Sequence, residues 1–258
     1  MEKLLIRLFS FSFGKLKFQN FFKKIYSLSL RGLNYGNLGF GEENVIAFVA
    51  SQAILEGSQT AIFDVGANIG EYSELLLKYF SNSKLIYAFE PAPKTFETLS
   101  KNSKINLVSK HNIGFGSSEG ELKLYKESAN SPLASVFQRN YNGVIFEEYD
   151  LVRIETIDDF CKKNNIFEIL FLKIDVEGFE MEVINGALEM IKSGKIRFLQ
   201  FEFGGTQIHS RTFFKDFWDL LSPFFKINKI LVDGLEELKT YDERLEIYSY
   251  SNFLCILK

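Results

Sequence analysis

The stretch Thr60–Glu71, TAIFDVGANIGE, limits what this chain can fold into more than any other. Ala61, Ile62, Phe63 and Val65 form a short apolar run of β-branched and aromatic side chains, the pattern of a strand buried on both faces of a parallel sheet. Asp64, Gly66, Asn68 and Gly70 punctuate it, and the helix-compatible EYSELLLKYF follows at once. A glycine-rich turn between a buried strand and a helix opens a nucleotide-binding α/β domain, so function is expected at that turn.

Gly66 and Gly70 lack a Cβ, which permits positive φ and lets a ligand approach main-chain N–H groups at the helix N-terminus. The loop, with Ala67 inside it, reads G-x-N-x-G rather than the G-x-G-x-x-G that seats a pyrophosphate. Asp64 would repel a diphosphate but can accept hydrogen bonds from an ammonium group, and S-adenosylmethionine carries one. A second strand, Leu85 to Pro91 (LIYAFEP), ends in Glu90, twenty positions beyond Gly70. A carboxylate at that tip is placed to take both hydroxyls of a ribose, although alone it reads equally as a surface charge. The two motifs together, in this order and spacing, indicate a nucleoside cofactor.

Strand and helix patterns alternate from there. Helices are expected over Glu42–Leu55, Glu71–Phe80 and, after Pro91 and Pro93, Thr95–Asn102, with a third strand over Val108–Ile113. The turn Gly114-Phe115-Gly116 would lie beside an adenine, with Phe115 either its neighbour or a core residue. The polar segment Ser128–Asn142 reads as an insertion gating the binding face. A strand at Leu151–Glu155 and a helix over Thr156–Lys163 precede the second organising stretch, ILFLKIDVEGFEME. There Ile169–Ile174 is a buried strand, Asp175 stands at its carboxyl end, and Glu177-Gly178 turns the chain into a helix over Glu180–Ile191. Ligands of open parallel sheets bind at the carboxyl ends of strands, so Asp175 and Glu177 should face the cleft that Asp64 and Glu90 enter. One more strand carries Glu202, the loop GGTQIHSR carries His209, and a helix over Phe213–Leu221 precedes two strands, Ile227–Val232 and Tyr248–Leu257, both antiparallel at the sheet edge.

A chain of 258 residues accommodates one large α/β domain with extensions. Cys161 and Cys255 form neither a disulfide framework nor a CxxC zinc motif, so a reducing cytoplasm is the expected compartment. Residues 1–31 hold seven basic side chains against Glu2, a local +6 in a chain of net charge −3, which leaves the remainder strongly acidic. An acidic body lacks the coherent basic face of a nucleic-acid module. The division is therefore residues 1–41, a basic amphipathic segment ending in the glycine-rich loop Gly32–Gly41, and a domain over 42–258. The basic segment has two open readings: a helical cap packed on the domain, or peripheral contact with an anionic membrane at its cytoplasmic face.

The runs FDVGANIG, YAFEP, HNIGFGSSEGELKLY, VRIETIDDF with LFLKIDVEGFEMEVINGA, and FEFGG resemble the FkbM family of S-adenosylmethionine-dependent methyltransferases over about residues 42–258. The resemblance implies a class I methyltransferase (Rossmann-like) fold: seven strands, mostly parallel, the seventh antiparallel, with helices on both faces. It also implies O-methylation, often of a sugar hydroxyl. By position it assigns Asp64, Gly66, Asn68 and Gly70 to the cofactor loop, Glu90 to the ribose, and Asp175, Glu177 and Gly178 to the family's D-x-E-G. At His209 relatives more often carry an acid.

Methyl transfer from a sulfonium needs alignment of oxygen, carbon and sulfur and removal of the hydroxyl proton, for which Asp175, Glu177, Glu202 and His209 are the candidates. Asp175 and Glu202 could instead hold a divalent ion, but two carboxylates without a third ligand assign none. Glu177 has the plain alternative of capping a helix. The competing reading is a nucleotide-sugar or NAD-dependent enzyme on a similar sheet, against which the G-x-N-x-G loop speaks.

Overall fold

The computed structural model describes residues 2–36, 41–56, 60–80, 85–126, 134–137, 140–141, 144–145 and 148–258. Most of the expected gate Ser128–Asn142, and residues 37–40 of the glycine-rich loop, lie outside them. The segment 1–31 is helical as expected, as α1 (Glu2–Phe9) and α2 (Gln19–Gly32). Residues after α2 are tied to the sheet edge: Asn34 Nδ2 donates to the Ile230 carbonyl at 2.9 Å, Lys229 Nζ to the Leu33 carbonyl at 2.6 Å, and the Gly36 N–H to the Tyr250 carbonyl at 2.6 Å.

The main sheet has eight strands: β1 (Ala61–Val65), β2 (Ile86–Phe89), β3 (Ser109–His111), β4 (Ile169–Ile174), β5 (Ile196–Phe203), β6 (Phe225–Leu231), β7 (Gly234–Leu238) and β8 (Ser251–Leu257). Their order is β7-β6-β8-β5-β4-β1-β2-β3. The run β3-β2-β1-β4-β5 is parallel, and β8 inserts antiparallel between β5 and β6. Two sequence expectations are corrected here. β6 runs with the parallel strands, since it is antiparallel to β8, and the eighth strand is β7, folded back on β6 by the two-residue turn Val232-Asp233. Leu235 and Leu238, three apart and so on opposite faces of the strand, each pack against a different core, while Glu236 and Glu237 stay in solvent.

Helices cover both faces, as expected. α3 (Glu42–Glu56), α4 (Glu71–Tyr79) and α5 (Pro93–Lys101) contribute Val45, Leu76 and Leu99 to one core with Ile62, Phe171 and Phe198. α5 begins two residues before the expected Thr95, with Pro93 in its first turn, where an N–H needs no helical partner. On the other face α6 (Ile157–Lys163), α7 (Glu180–Asn185), α8 (Leu188–Lys192) and, after the short α9 (Gln207–Ser210), α10 (Phe214–Leu221) pack on Phe63, Leu172 and Phe201. The single helix expected over Glu180–Ile191 is two. It breaks at Gly186, where a Cβ would stand 2.0 Å from the Gly116 carbonyl oxygen. The Asp158 carboxylate then caps α8, accepting from the N–H groups of Glu189 and Met190.

A second sheet leaves the main one after β3. Its strands Gly114–Phe115, Glu148–Glu155, Gly120–Lys126 and Ala134–Ser135 lie side by side in that order. Leu124, Val152 and Ile154 form a small core with Ala92.

Candidate active site

The cleft begins where β1 ends. Val65 is followed by Gly66 at φ +79°, whose Cβ would stand 1.8 Å from the Asp175 carbonyl oxygen, so only glycine fits between the ends of β1 and β4. Asn68 is left-handed at φ 48° and Gly70 caps α4 at φ 96°. Three N–H groups of this loop are already taken: those of Gly66 and Ala67 both donate to the Phe89 carbonyl, and that of Asn68 donates to Glu90 Oε2, each at 3.0 Å. What the turn presents to the cleft is the bare backbone of Gly66 beside Asn68.

Glu90, at the tip of β2, is buried. Its Oε1 accepts the Ala92 N–H at 2.8 Å and its Oε2 that of Asn68, so the carboxylate fastens the β2 tip to the β1 loop while each oxygen keeps a lone pair for a ligand. Burial outweighs those two bonds and raises its pKa to about 7.

A cleft of about 850 Å³ of empty space, open mouth included, lies over these tips. Gly66, Asn68, Glu90, Pro91, Gly114 and Phe115 line it from the expected cofactor set, and Asp175 and Glu177 from the expected catalytic set. The second sheet supplies an apolar wall of Leu124, Val136, Val152 and Ile154. Phe115 is a core residue at the edge of the cleft, packing edge-on against Phe89 at 4.7 Å and Phe160 at 5.7 Å. Asp64, Ala67 and Gly70 lie beneath this lining and shape the turn. Glu202 is buried next to Asp175, and His209, exposed on α9, is not brought to the cleft.

Asp64 is inaccessible to solvent and already neutralised. Ser73 Oγ donates to Oδ2 at 2.7 Å, and Lys173 Nζ stands 3.3 Å from Oδ1 and 3.3 Å from Asp175 Oδ2. The parallel register, which pairs Asp64 with Lys173 and Lys173 with Gln200, aligns these groups across three strands. Burial works against the Lys173 charge, yet Asp175, Asp64 and Glu42 overcome it and hold the ammonium above its ordinary pKa. Helices close the row from above: Tyr72 OH donates to Gln200 Oε1 at 3.0 Å, and Gln200 Nε2 and Asn252 Nδ2 donate to Glu42 Oε1 at 3.2 and 3.3 Å.

One step further along the same register Asp175 falls beside Glu202. Burial, then the neighbouring charges of Asp175, Glu180 and Glu177, push the Glu202 carboxyl well above the ordinary range. Glu180 caps this turn: its Oε1 accepts the N–H groups of Val176 and Gly178, both at 3.1 Å, and its Oε2 accepts from Gln207 Nε2 at 2.6 Å. Glu177 itself is left-handed at φ 57°, held at the cleft by that cap. Among the described residues, no three His, Cys, Asp or Glu side chains converge as a metal site.

Sequence reasoning missed Glu42, Tyr72, Lys173, Glu180, Gln200 and Asn252. A lysine inside the apolar run ILFLKI was the available signal, since a buried cation requires buried carboxylates.

The strand order, the antiparallel insertion of β8 and a glycine turn with an acid at the next strand tip define a class I methyltransferase fold. The sequence model of the Methyltransferase FkbM domain matches residues 64–228, and the chain belongs to that family. It is 31% identical over 143 residues to Methyltransferase 1 of Beauveria bassiana, covering 48% of this chain and 57% of that one. It is 28% identical over 155 residues to the hexuronic acid methyltransferase AglP of Haloferax volcanii, covering 59% of each. The chain thus spans somewhat under two thirds of the length of these relatives. A solved structure of Methyltransferase FkbM from Methylobacillus flagellatus superposes with a TM-score of 0.46 at 18% identity, covering 76% of this chain and 44% of that one.

Proposed function

We propose that the protein transfers the methyl group of S-adenosylmethionine to a hydroxyl of a saccharide or related small molecule. The observation that carries this reading is the convergence of Gly66 and Asn68, Glu90, and Asp175 from the carboxyl ends of β1, β2 and β4 on one cleft. Its donor set fits the cofactor. Glu90 offers lone pairs to a ribose, the apolar wall and Phe115 suit an adenine, and the side-chain-free turn at Gly66 leaves room for the remaining arm.

Bound there, the cofactor supplies an electrophilic methyl group. The chain's own residues manage the acceptor. Asp175, half-buried at the β4 tip and paired on one oxygen with Lys173, is placed to accept the acceptor's hydrogen bond and then its proton. Glu177 lines the same opening, and Glu202 behind Asp175 shares the charge. Asp64, with Lys173 fixed against it, sets the height of this row. The family supports O-transfer: one relative, NoeI of Sinorhizobium fredii, is named a 2-O-methyltransferase, and AglP acts by its name on a hexuronic acid. Cys161 and Cys255, both free and buried, suit a reducing cytoplasm.

S-adenosylhomocysteine should raise the melting temperature, and NAD and ATP should not, because only ligands of the native state stabilise it. Label transfer from methyl-labelled cofactor should then pick out saccharide hydroxyls from an acceptor panel. Stabilisation by NAD in place of S-adenosylhomocysteine would refute the reading.

A further inference from the structure

We propose that α1, α2 and the turn between them form an interfacial anchor that seats the protein on an anionic lipid bilayer. The first observation is exposure. On the connecting turn Phe11 is 61% exposed and Leu16 is 89% exposed, Phe13 is open beside them, and Leu4 and Ile6 of α1 face solvent as well. A water-soluble surface scatters such residues singly, whereas these lie within thirty consecutive positions.

The second observation is arrangement. In α2, Phe21, Ile25 and Leu28 recur at intervals of four and three, which places them on one side of the helix, and all three are exposed. Asn20, Lys23, Lys24, Ser27 and Arg31 follow the adjacent flank of the helix and, with Leu28, line a single shallow groove. Lys3 and Arg7, four apart, occupy one side of α1. The aromatic residues engage each other across the segment: Phe11 with Phe18 at 5.7 Å, Phe13 with Phe22 at 5.8 Å, and Phe21 with Phe22 at 5.4 Å. α2 buries none of its residues. Phe21, Ile25 and Leu28 thus stand open to solvent.

Charge selects the occupant. A protein groove for an apolar helix face does not require a cationic flank, and a second copy would set seven more like charges against the seven already there. A bilayer of anionic lipids satisfies both faces at once: the aromatic and aliphatic side chains enter the acyl boundary, while the cations remain at the headgroups. Among the described residues no helix is long and apolar enough to cross a membrane, so contact through these helices is peripheral. The bonds of Leu33, Asn34 and Gly36 to β6 and to Tyr250 then fix the distance from the surface to the catalytic domain.

The test is co-sedimentation of the full chain with vesicles of phosphatidylcholine alone or mixed with about a quarter phosphatidylglycerol, at about 50 and about 500 mM salt. The expected result is binding to the anionic vesicles that falls strongly at the higher salt. The triple variant Lys23→Gln, Lys24→Gln, Arg31→Gln should weaken it about a hundredfold, at about fivefold per cation. Phe11→Ser with Leu16→Ser should abolish the binding that survives high salt. Both variants replace exposed side chains, so the melting temperature and the shift given by S-adenosylhomocysteine should match the wild type. The proposal is overturned by absence of binding at low salt, by equal binding to neutral vesicles, by an unaffected triple variant, or by a dimer in light scattering that persists in place of vesicle binding.

Discussion

Replacing Glu90 by glutamine should erase a pH dependence that the structure builds into cofactor binding. In the free protein burial raises this carboxyl from an ordinary 4.5 to about 7. A group whose folded pKa lies above its unfolded one contributes stability that is complete below about pH 4.5 and lost as pH rises through about 7, here a difference of ~3 kcal/mol. Ligand binding runs the other way, because only the ionised carboxylate can accept from both ribose hydroxyls while keeping the Asn68 and Ala92 N–H groups. The ionised fraction falls from roughly nine tenths at pH 8 to roughly one tenth at pH 6, so the Kd for S-adenosylhomocysteine should rise about tenfold over that range. Glu90→Gln replaces one acceptor oxygen by an amide that faces a backbone donor. It should weaken binding by ten- to a hundredfold, at ~1.5–3 kcal/mol per lost charge-assisted bond, and flatten the pH profile. Calorimetric titrations at pH 6, 7 and 8, with melting curves at each pH, read both effects. A wild-type Kd that is level from pH 6 to 8, or a variant that keeps the wild-type slope, would refute the reasoning.

Asp175→Asn should lower turnover at least tenfold, about 1.4 kcal/mol of transition-state stabilisation, while S-adenosylhomocysteine affinity stays within twofold; near wild-type turnover in a methyl-transfer assay would remove Asp175 from the proton path. Chelator treatment of the wild type, followed by added Mg²⁺, decides whether that carboxylate works through a metal: rescue by the ion would assign it as a ligand. Lys173→Met leaves Asp64 buried without its cation, at a cost of ~3–5 kcal/mol, and should lower the melting temperature by roughly 10 °C. A melting temperature within about 2 °C of wild type would show that this ion pair does not hold the strands in register.

Much of the cleft was legible from the chain because its pieces are local. A buried strand declares itself by an apolar run, and a turn that needs positive φ declares itself by glycine, so the β1 loop, the Glu90 tip and the Asp175 turn could be set along the sequence before any contact was known. The reading erred where the same local signals have two outcomes. Pro93, which ends the strand segment, also opens α5 two residues before the expected start, and Gly186 falls between α7 and α8, where the Gly116 backbone leaves no room for a Cβ. Beside Glu177 a second acid, Glu180 of α7, takes the Val176 and Gly178 N–H groups of the same turn, which no local pattern announced.

By itself, then, the sequence determined the α/β class, the parallel strand succession and the acids at three strand tips, since each follows from spacing within a few residues. Tertiary structure alone decided what lies between those acids. Lys173 meets Asp64 across a register that no local pattern encodes, and Glu42, Tyr72, Gln200 and Asn252 join it from four separate segments. The wall of the cleft comes from Gly120–Lys126 and Glu148–Glu155, whose apolar faces acquire a direction only when the two strands pair. The fate of residues 2–32 was likewise undecidable from pattern, because an amphipathic helix specifies that it has an apolar face but not what covers it. Among the described residues α2 buries none of its side chains, and the tie at Leu33–Gly36 is made by polar groups.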